Sequence, residues 1–149
     1  MRVIKKGIAA GFILFLLIIG FIIAIPVTNN YCAYQVEKEL KETTLPSQTE
    51  LIESVSVTGK LNGNGNGMQY FGAILIRSEL SLQELEAYYS GYRSNDWEYV
   101  VEEQKEQRIL AAEHVELCFD SQIDDDNYYI VYSWGDGITF FKEMDIRGH

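Results

Sequence analysis

One uncharged apolar run near the start of the chain constrains its architecture more than any other feature. Residues 7–27 read GIAAGFILFLLIIGFIIAIPV, 21 positions without a charged, amide or hydroxyl side chain. A helix of that length, at about 1.5 Å of rise per residue, spans roughly 30 Å, the thickness of the hydrocarbon core of a bilayer. The sequence therefore predicts a transmembrane helix followed by one domain-sized segment.

Basic residues before the run indicate its orientation. Arg2, Lys5 and Lys6 precede the run, and no acidic residue does. By the positive-inside rule, residues 1–6 form a cytoplasmic leader, and the chain from about residue 28 onward lies outside the cytoplasm. We predict a single-pass protein of the cell membrane with a cytoplasmic N-terminus and an extracytoplasmic C-terminal domain.

A removable signal peptide is the alternative to an uncleaved anchor. Signal peptides have an apolar region of about 7–15 residues, followed by a cleavage site with small residues. The run here is longer, and cuts after Ala24 or Ala33 would place Ile22 or Tyr31 at the third position back. We predict an uncleaved anchor. Cleavage stays open as the alternative, and both readings place the domain outside the cytoplasm.

The segment after the run is acidic and rich in aromatic residues. All 22 acidic residues of the chain but only nine of its 12 basic residues follow residue 27, so this segment has a formal charge of −13. A surface of that charge repels nucleic acid, and we expect no nucleic-acid partner. Ten tyrosines and two tryptophans indicate a folded core rather than a disordered tail. Cys32 and Cys118 are expected to be free thiols, and a disulfide between them stays open as the alternative.

Residues 28–46 are predicted to form a helical stalk next to the membrane. Val36 and Leu40 are four residues apart, and Glu37 and Lys41 can form an ion pair across one helical turn. The residue before a proline avoids the helical conformation, so we place the domain boundary near Pro46. The extracytoplasmic domain would then comprise residues 47–149.

Six strands and one helix are predicted in this domain. Period-two alternation or short apolar runs predict strands over residues 51–61, 68–76, 97–101, 108–119, 128–134 and 138–141. The NGNGNG of residues 62–67 and the GDG of residues 135–137 are typical of hairpin turns. The helix begins at a capping box, SLQE at residues 81–84. The order ββαββββ predicts an α+β fold, an antiparallel meander with the helix packed on one face.

Residues 81–101 carry a resemblance to a known group of proteins. They read SLQELEAYYSGYRSNDWEYVV, a capped helix with a tyrosine pair, a short polar turn and a tryptophan that opens a strand. The pattern is similar to a module of small uncharacterised membrane-anchored or lipoprotein-like proteins of Gram-positive bacteria. The resemblance implies a single-pass membrane-anchored α+β protein. It carries over no active-site residue.

His114 and a run of aspartates are the candidates for chemistry. His114 lies between glutamates in a strand-like pattern, where it can act as a general base or a metal ligand, but a polar sheet face accounts for the same residues. Residues 124–126 read DDD and suggest calcium, yet Tyr128 stands where an EF-hand has its third ligand, and no glycine follows. We therefore predict no catalytic residue, cofactor or metal.

Aromatic residues of the last two predicted strands are the candidate interaction surface. Tyr129, Tyr132 and Phe141 are expected to point away from the core, where aromatic side chains stack on sugars or capture a protein partner. We predict a membrane-tethered, non-catalytic module for protein interaction or sensing. A module that binds cell-wall glycan is the alternative, and a small extracytoplasmic enzyme is a further one.

Overall fold

The computed structural model describes the backbone of residues 2–149 and the side chains of residues 7–149. Its elements are, in chain order, α1 (Arg2–Glu42), β1 (Thr49–Gly59), β2 (Gln69–Ser78), α2 (Leu82–Tyr89), β3 (Arg93–Ser94), β4 (Trp97–Glu98), β5 (Val100–Glu103), β6 (Tyr128–Gly135), α3 (Thr139–Met144) and a final 3-10 turn (Ile146–Gly148). The strands β1, β2, β6 and β5 form an antiparallel sheet in that order, and β3 and β4 form a separate two-stranded ribbon. The predicted α+β class is confirmed, although the main sheet has four strands and not six.

The first helix is much longer than the apolar run. It extends over 41 residues and passes through Pro26 without ending, so it is roughly 60 Å long at 1.5 Å of rise per residue. By length and composition the helix is apolar enough to cross a membrane. Its polar half continues beyond residue 27 and ends at Glu42, shortly before Pro46.

The polar half of α1 packs on the sheet. Ala33, Val36 and Leu40, spaced by three and four residues, are at most 1% exposed, and α1 makes its most extensive contacts with β2 and β1. Residues 28–46 are the predicted helical stalk, and the part of this range that lies in α1 is helical and packs on the sheet. The second half of α1 therefore shares a hydrophobic core with the face of the sheet on which it packs.

Two glycines in neighbouring strands let α1 approach the sheet closely. A Cβ added to Gly72 of β2 would overlap the backbone of Val36 and Glu37, and one added to Gly135 of β6 would overlap the side chain of Val36. A side chain at either position would push the helix away from the strands. The closeness of this contact therefore depends on the absence of side chains at residues 72 and 135.

The alternation predicted for β1 is present, but its polar face is covered. Val55 and Val57 pack on one face of the sheet, while the hydroxyls of Ser54 and Ser56 point to the other and donate to the two carboxylate oxygens of Glu37, each at 2.6 Å. Glu37 lies on α1, so the polar side of β1 faces a helix rather than water.

The central strands of the sheet, β2 and β6, are buried on both faces. On the first face, α1 and α2 cover a cluster formed by Leu40, Ile74, Ile76, Leu85, Tyr89, Tyr99, Val101, Tyr129 and Val131. On the second face, the irregular segment of residues 104–127 covers a cluster formed by Leu61, Phe71, Ala73, Leu75, Ile109, Phe119, Tyr128, Ile130 and Tyr132. The molecule is therefore built in three layers, with a segment of little regular structure as the third.

The prediction of a strand over residues 108–119 is wrong. This segment contains a single bridge, between Arg108 and Cys118, and otherwise crosses the second face without joining the sheet. Ile109 and Phe119 are buried against the sheet, which accounts for the apolar alternation in the sequence. The segment also separates β5 from β6 along the chain. In the sheet, β6 lies between β2 and β5, so the strands do not follow one another in chain order and the predicted meander is not formed.

The prediction of a last strand is wrong as well. Residues 138–141, expected to form a strand after a hairpin at residues 135–137, lie at the start of α3. The chain passes the ring of Tyr70 so closely that a Cβ at Gly137 would overlap it. Because the chain turns there toward α1, β6 gains no hairpin partner after Gly135.

The predicted strand over residues 97–101 is divided between β4 and β5.

The local signals at the two ends of β2 are confirmed. The NGNGNG segment connects β1 to β2, which pair in antiparallel register from Gly59 with Gln69 onward, and Gly63 in it has a φ of 74°. After β2, Ser81 and Glu84 form the predicted capping box at the start of α2. Short-range turn and capping chemistry therefore places both elements correctly.

Candidate functional site

One end of the sheet lies next to the part of α1 where the apolar run ends. β2 begins there at Gln69 and β6 ends there, with Tyr70 paired to Gly135. The hydroxyl of Tyr70 donates to the side chain of Asn29, which follows the apolar run by two residues. This end, called here the membrane-proximal end, therefore lies close to the surface of any bilayer that residues 7–27 cross.

A fully paired amide is buried at the membrane-proximal end. Asn29 is 0% exposed, and its Oδ1 accepts from the Tyr70 hydroxyl at 2.7 Å. Its Nδ2 donates to a carboxylate oxygen of Asp145 at 2.8 Å and to the carbonyl oxygen of Phe141 at 3.1 Å. A buried amide with partners on both sides holds groups from distant parts of the chain in one geometry.

Arg147 extends this network to the end of the chain. Its Nε and one terminal nitrogen donate to the two carboxylate oxygens of Asp145 at 3.0 and 2.7 Å, and its other terminal nitrogen donates to Oδ1 of Asn30 at 2.8 Å. The network of Asn29, Tyr70, Asp145 and Arg147 is called the polar junction below. It attaches the C-terminal segment to α1 where the apolar run ends.

The polar junction has well-defined charges. Hydrogen bonds from the Arg147 side chain, together with one from Asn29, hold the pKa of the Asp145 carboxyl well below its ordinary value of 3.8. Burial raises the pKa of Tyr70 to about 12. At neutral pH the junction therefore contains a carboxylate, a guanidinium and a neutral phenol, an arrangement suited to holding two segments together.

The Asp145 carboxylate is expected to make stability depend on pH below about pH 4. Because its pKa is lowered in the folded state, it contributes stability fully above its ordinary value of 3.8, and this contribution is lost as the pH falls toward the folded pKa. We expect Asp145→Asn to lower the free energy of unfolding by about 2 kcal/mol near neutral pH, and by progressively less toward pH 2. Thermal unfolding of both chains in detergent across this range measures the difference. A difference that does not change with pH would show that the charge is not its source.

A cleft of about 740 Å³ opens at the membrane-proximal end. It is bordered by the NGNGNG turn, by the start of β2 and the end of β6, by α3 and by His149. Two tryptophans line it: Trp97 is 46% exposed, and Trp134 packs edge-on against Phe71 with ring centres 5.0 Å apart. Asp136, Lys142 and Glu143 supply charges around the opening. The cleft combines flat apolar rings with polar groups, as binding sites for small ligands and peptide segments do.

The predicted surface of Tyr129, Tyr132 and Phe141 is not brought together. Tyr129 and Tyr132 are only 7% and 9% exposed and lie in the clusters on opposite faces of the sheet. Burial raises the pKa of both phenols, and the Tyr132 hydroxyl donates to Glu102 at 2.9 Å. Phe141 is half-buried, with its ring centre 6.2 Å from that of Phe21. The three side chains therefore take part in three separate contacts and do not form one surface.

The remaining candidates lie apart from the cleft. His114 is exposed, and its backbone N–H donates to the carbonyl of Leu61. Asp125 pairs with Arg77 at 2.7 Å, and no group of side chains suited to a metal ion occurs among residues 7–149. Both cysteines are free thiols.

Comparisons with protein-family models, with curated proteins and with solved structures find no match to this chain. The resemblance to membrane-anchored proteins of Gram-positive bacteria therefore stays a prediction.

Sequence reasoning missed the cleft and the polar junction. Trp97 was placed correctly at the start of a strand, but its exposure depends on the β3–β4 ribbon, which has no strong sequence signal. Asn29 has one usable signal, since an amide directly after an apolar run in a continuous helix needs a partner if it is buried. Asp145 lies 116 residues away from it, and no local pattern connects the two.

Proposed function

We propose that the chain is a membrane-tethered, non-catalytic interaction or sensor module, with its domain on the extracytoplasmic side and the cleft as its recognition site. The proposal is carried by the position of the cleft. It opens at the membrane-proximal end, between an exposed Trp97 and α3, and the domain is joined to the apolar helix by a packed interface rather than by a flexible linker. A ligand site held in this way has a defined distance from the membrane.

The packing of α1 supports an anchor that is not cleaved from the domain. A cut after Ala33 would remove Asn29 and with it the centre of the polar junction. The basic residues Arg2, Lys5 and Lys6 support a cytoplasmic N-terminus. The net charge of −13 after residue 27 favours a partner with positive charge, because an acidic surface accelerates encounter with a basic one.

Trp97 is the side chain expected to contribute most to recognition. Tryptophan is enriched among the residues that dominate interface energetics, and an exposed indole at the rim of a cleft offers a large rigid surface. A protein segment with basic residues would meet Trp97 together with the carboxylates of Asp136 and Glu143. This proposal assigns the recognition role to Trp97 instead of to Tyr129 and Tyr132, which are buried.

Glycan binding is the second candidate, and one observation favours it. Trp97 and Trp134 line the same cleft as the amide-bearing residues Asn62 and Asn66. Aromatic rings that stack on sugar faces, flanked by amides that pair with hydroxyls, form a surface suited to carbohydrate. The ligand would then be a glycan of the cell wall and not a protein.

Site-specific photocrosslinking tests the proposal. A photoreactive amino acid replaces Trp97 in the full chain in native membranes, and the same amino acid at Leu51, an exposed apolar position at the other end of the sheet, is the control. We expect a protein adduct from position 97 that is absent from position 51. In parallel, Trp97→Ala should weaken capture of that partner by at least about tenfold while the circular dichroism spectrum is unchanged.

The outcomes separate the candidates. Retention of the wild-type domain on purified cell-wall glycan, lost in Trp97→Ala, with no protein adduct would favour the glycan module. Equal adducts from positions 97 and 51, together with unchanged capture by Trp97→Ala, would contradict recognition at the cleft.

A further inference from the structure

The C-terminal segment exposes apolar side chains that no part of the described chain covers. Ile138, Phe140 and Ile146 are 54%, 60% and 86% exposed, and Met144 is exposed as well. They lie on or directly beside α3, a helix of only six residues. Several large apolar side chains gathered on a short surface helix indicate a contact with another apolar phase.

The position of this segment along α1 indicates which phase that is. The rings of Phe140 and Phe141 pack against Phe21, with centre-to-centre distances of 6.1 and 6.2 Å. Phe21 lies six residues before the end of the apolar run at Val27, which corresponds to about 9 Å along the helix axis. The rings of Phe140 and Phe141 therefore lie beside the last turns of the apolar run, while the backbone of α3 at Phe141 contacts Asn29 just after its end.

The polar junction holds the segment at this height. Asn29 donates to the carbonyl of Phe141 within α3, and Arg147 donates to the carbonyl of Pro26 at 3.4 Å and to Asn30. These bonds connect both sides of the exposed apolar group to one short stretch of α1. The segment therefore has a fixed depth relative to the apolar run.

We propose that Ile138, Phe140, Met144 and Ile146 form a membrane foot, a surface that lies in the boundary between headgroups and acyl chains of the leaflet nearest the domain. The proposal depends on insertion of residues 7–27, which is part of the proposed function. Helices that lie in a membrane interface bury their apolar face about 5–10 Å into this boundary, and the contact with Phe21 places the Phe140 ring at that depth.

The charges of the segment favour acyl chains over charged headgroups as the contact. From residue 136 onward the chain has three acidic residues, Asp136, Glu143 and Asp145, and two basic ones, Lys142 and Arg147. Arg147 is paired with Asp145, which leaves Lys142, next to Glu143, as a single basic side chain, so the segment has no cluster of basic residues for anionic lipid. The foot is therefore expected to bind a zwitterionic bilayer as well as an anionic one.

A second contact with the membrane limits the orientation of the domain. A single helix can rotate and tilt, whereas a helix and an adjacent foot fix the side of the domain that faces the bilayer. Lys142 and Glu143 of α3 also line the cleft. The foot would therefore hold one wall of the cleft at the membrane surface.

Depth-dependent fluorescence quenching tests the foot on the full chain in phosphatidylcholine nanodiscs. Cys32→Ser and Cys118→Ser remove the native thiols, and a nitrobenzoxadiazole label is attached to a cysteine at Phe140, at Leu17 within the apolar run, or at Leu51 at the other end of the sheet, all exposed positions. Lipids with a nitroxide near the top of the acyl chain quench labels in the boundary, and lipids with a nitroxide near the chain end quench labels at the bilayer centre, where position 17 lies. We expect quenching at position 140 to exceed that at position 51 by at least about threefold.

Each outcome decides between the foot and its alternatives. Quenching at position 17 but at no labelled position of the foot would overturn the foot and leave insertion of α1 intact. The same pattern would result if a second copy of the chain covered the segment. Absence of quenching at position 17 would overturn insertion and the foot together. A requirement for anionic lipid would overturn the assignment to acyl chains.

Ile146→Cys repeats the measurement at the most exposed of the four side chains. It leaves in place the Phe140 ring that packs on Phe21. A loss of quenching caused only by disruption of that ring contact would appear at position 140 and not at position 146. Quenching absent from both positions would overturn the foot.

Discussion

Gly72→Ala is expected to destabilise the domain by about 3 kcal/mol or more, which is a large part of the stability of a typical domain. The added methyl group would overlap the backbone of Val36 and Glu37. Backbone atoms cannot move aside by changing rotamer, so α1 would have to lift away from β2. Thermal and denaturant unfolding of the chain in detergent, followed by near-ultraviolet circular dichroism, measures the loss.

Two other glycines provide matched controls. Gly135→Ala would meet the Val36 side chain instead of backbone, so a smaller loss is expected, and Val36→Ala should relieve it. The same Val36→Ala change should leave most of the Gly72→Ala penalty in place. Gly65→Ala, in the NGNGNG turn, has open space around the new methyl group and should change stability little. A Gly72→Ala loss as small as that of Gly65→Ala would contradict the close packing of α1 on the sheet.

A chain shortened to residues 47–149 is expected not to fold. It would leave the α1-facing side of β2, including Ile74 and Ile76, without the cover that Leu40 and its neighbours provide. Ala33 and Leu40 of α1 are buried in apolar clusters that include residues of the sheet, and these clusters would become exposed. At about 1.5–3 kcal/mol for each large side chain, the loss approaches the 5–15 kcal/mol that typically stabilises a domain.

A chain of residues 28–149 is the matched comparison. It lacks the apolar run but keeps Asn29 and the buried face of α1. We expect cooperative unfolding and dispersed amide resonances for residues 28–149, and a broad transition or aggregation for residues 47–149. Equal cooperativity of the two chains would show that the domain begins near Pro46, as the sequence suggested, and that α1 only rests on it.

The sequence by itself determined the elements that depend on neighbouring residues. The apolar run, the hairpin turn with Gly63 and the capping box of Ser81 and Glu84 arise from hydropathy, from a backbone conformation that glycine tolerates and from hydrogen bonds over three residues. These interactions act over a few positions of the chain. Their signals can be read without knowledge of the fold.

Only the tertiary structure decided which faces are covered and by what. Tyr129 and Tyr132 are three positions apart on β6, so they lie on opposite faces of the sheet, and because both faces of β6 are buried neither side chain points to solvent. Residues 108–119 show the period-two alternation of a strand because their apolar side chains are buried against the sheet, although the segment does not belong to it.

The site itself depends on contacts between distant parts of the chain. Asn29 meets Asp145 across 116 residues, and Gly72 is required only because a helix from the start of the chain crosses it. Period-two patterns record burial against some surface, and they contain no information about which element provides that surface. Packing of α1 across β2 and β6 supplies that information, and it places the cleft and the C-terminal segment beside the apolar run.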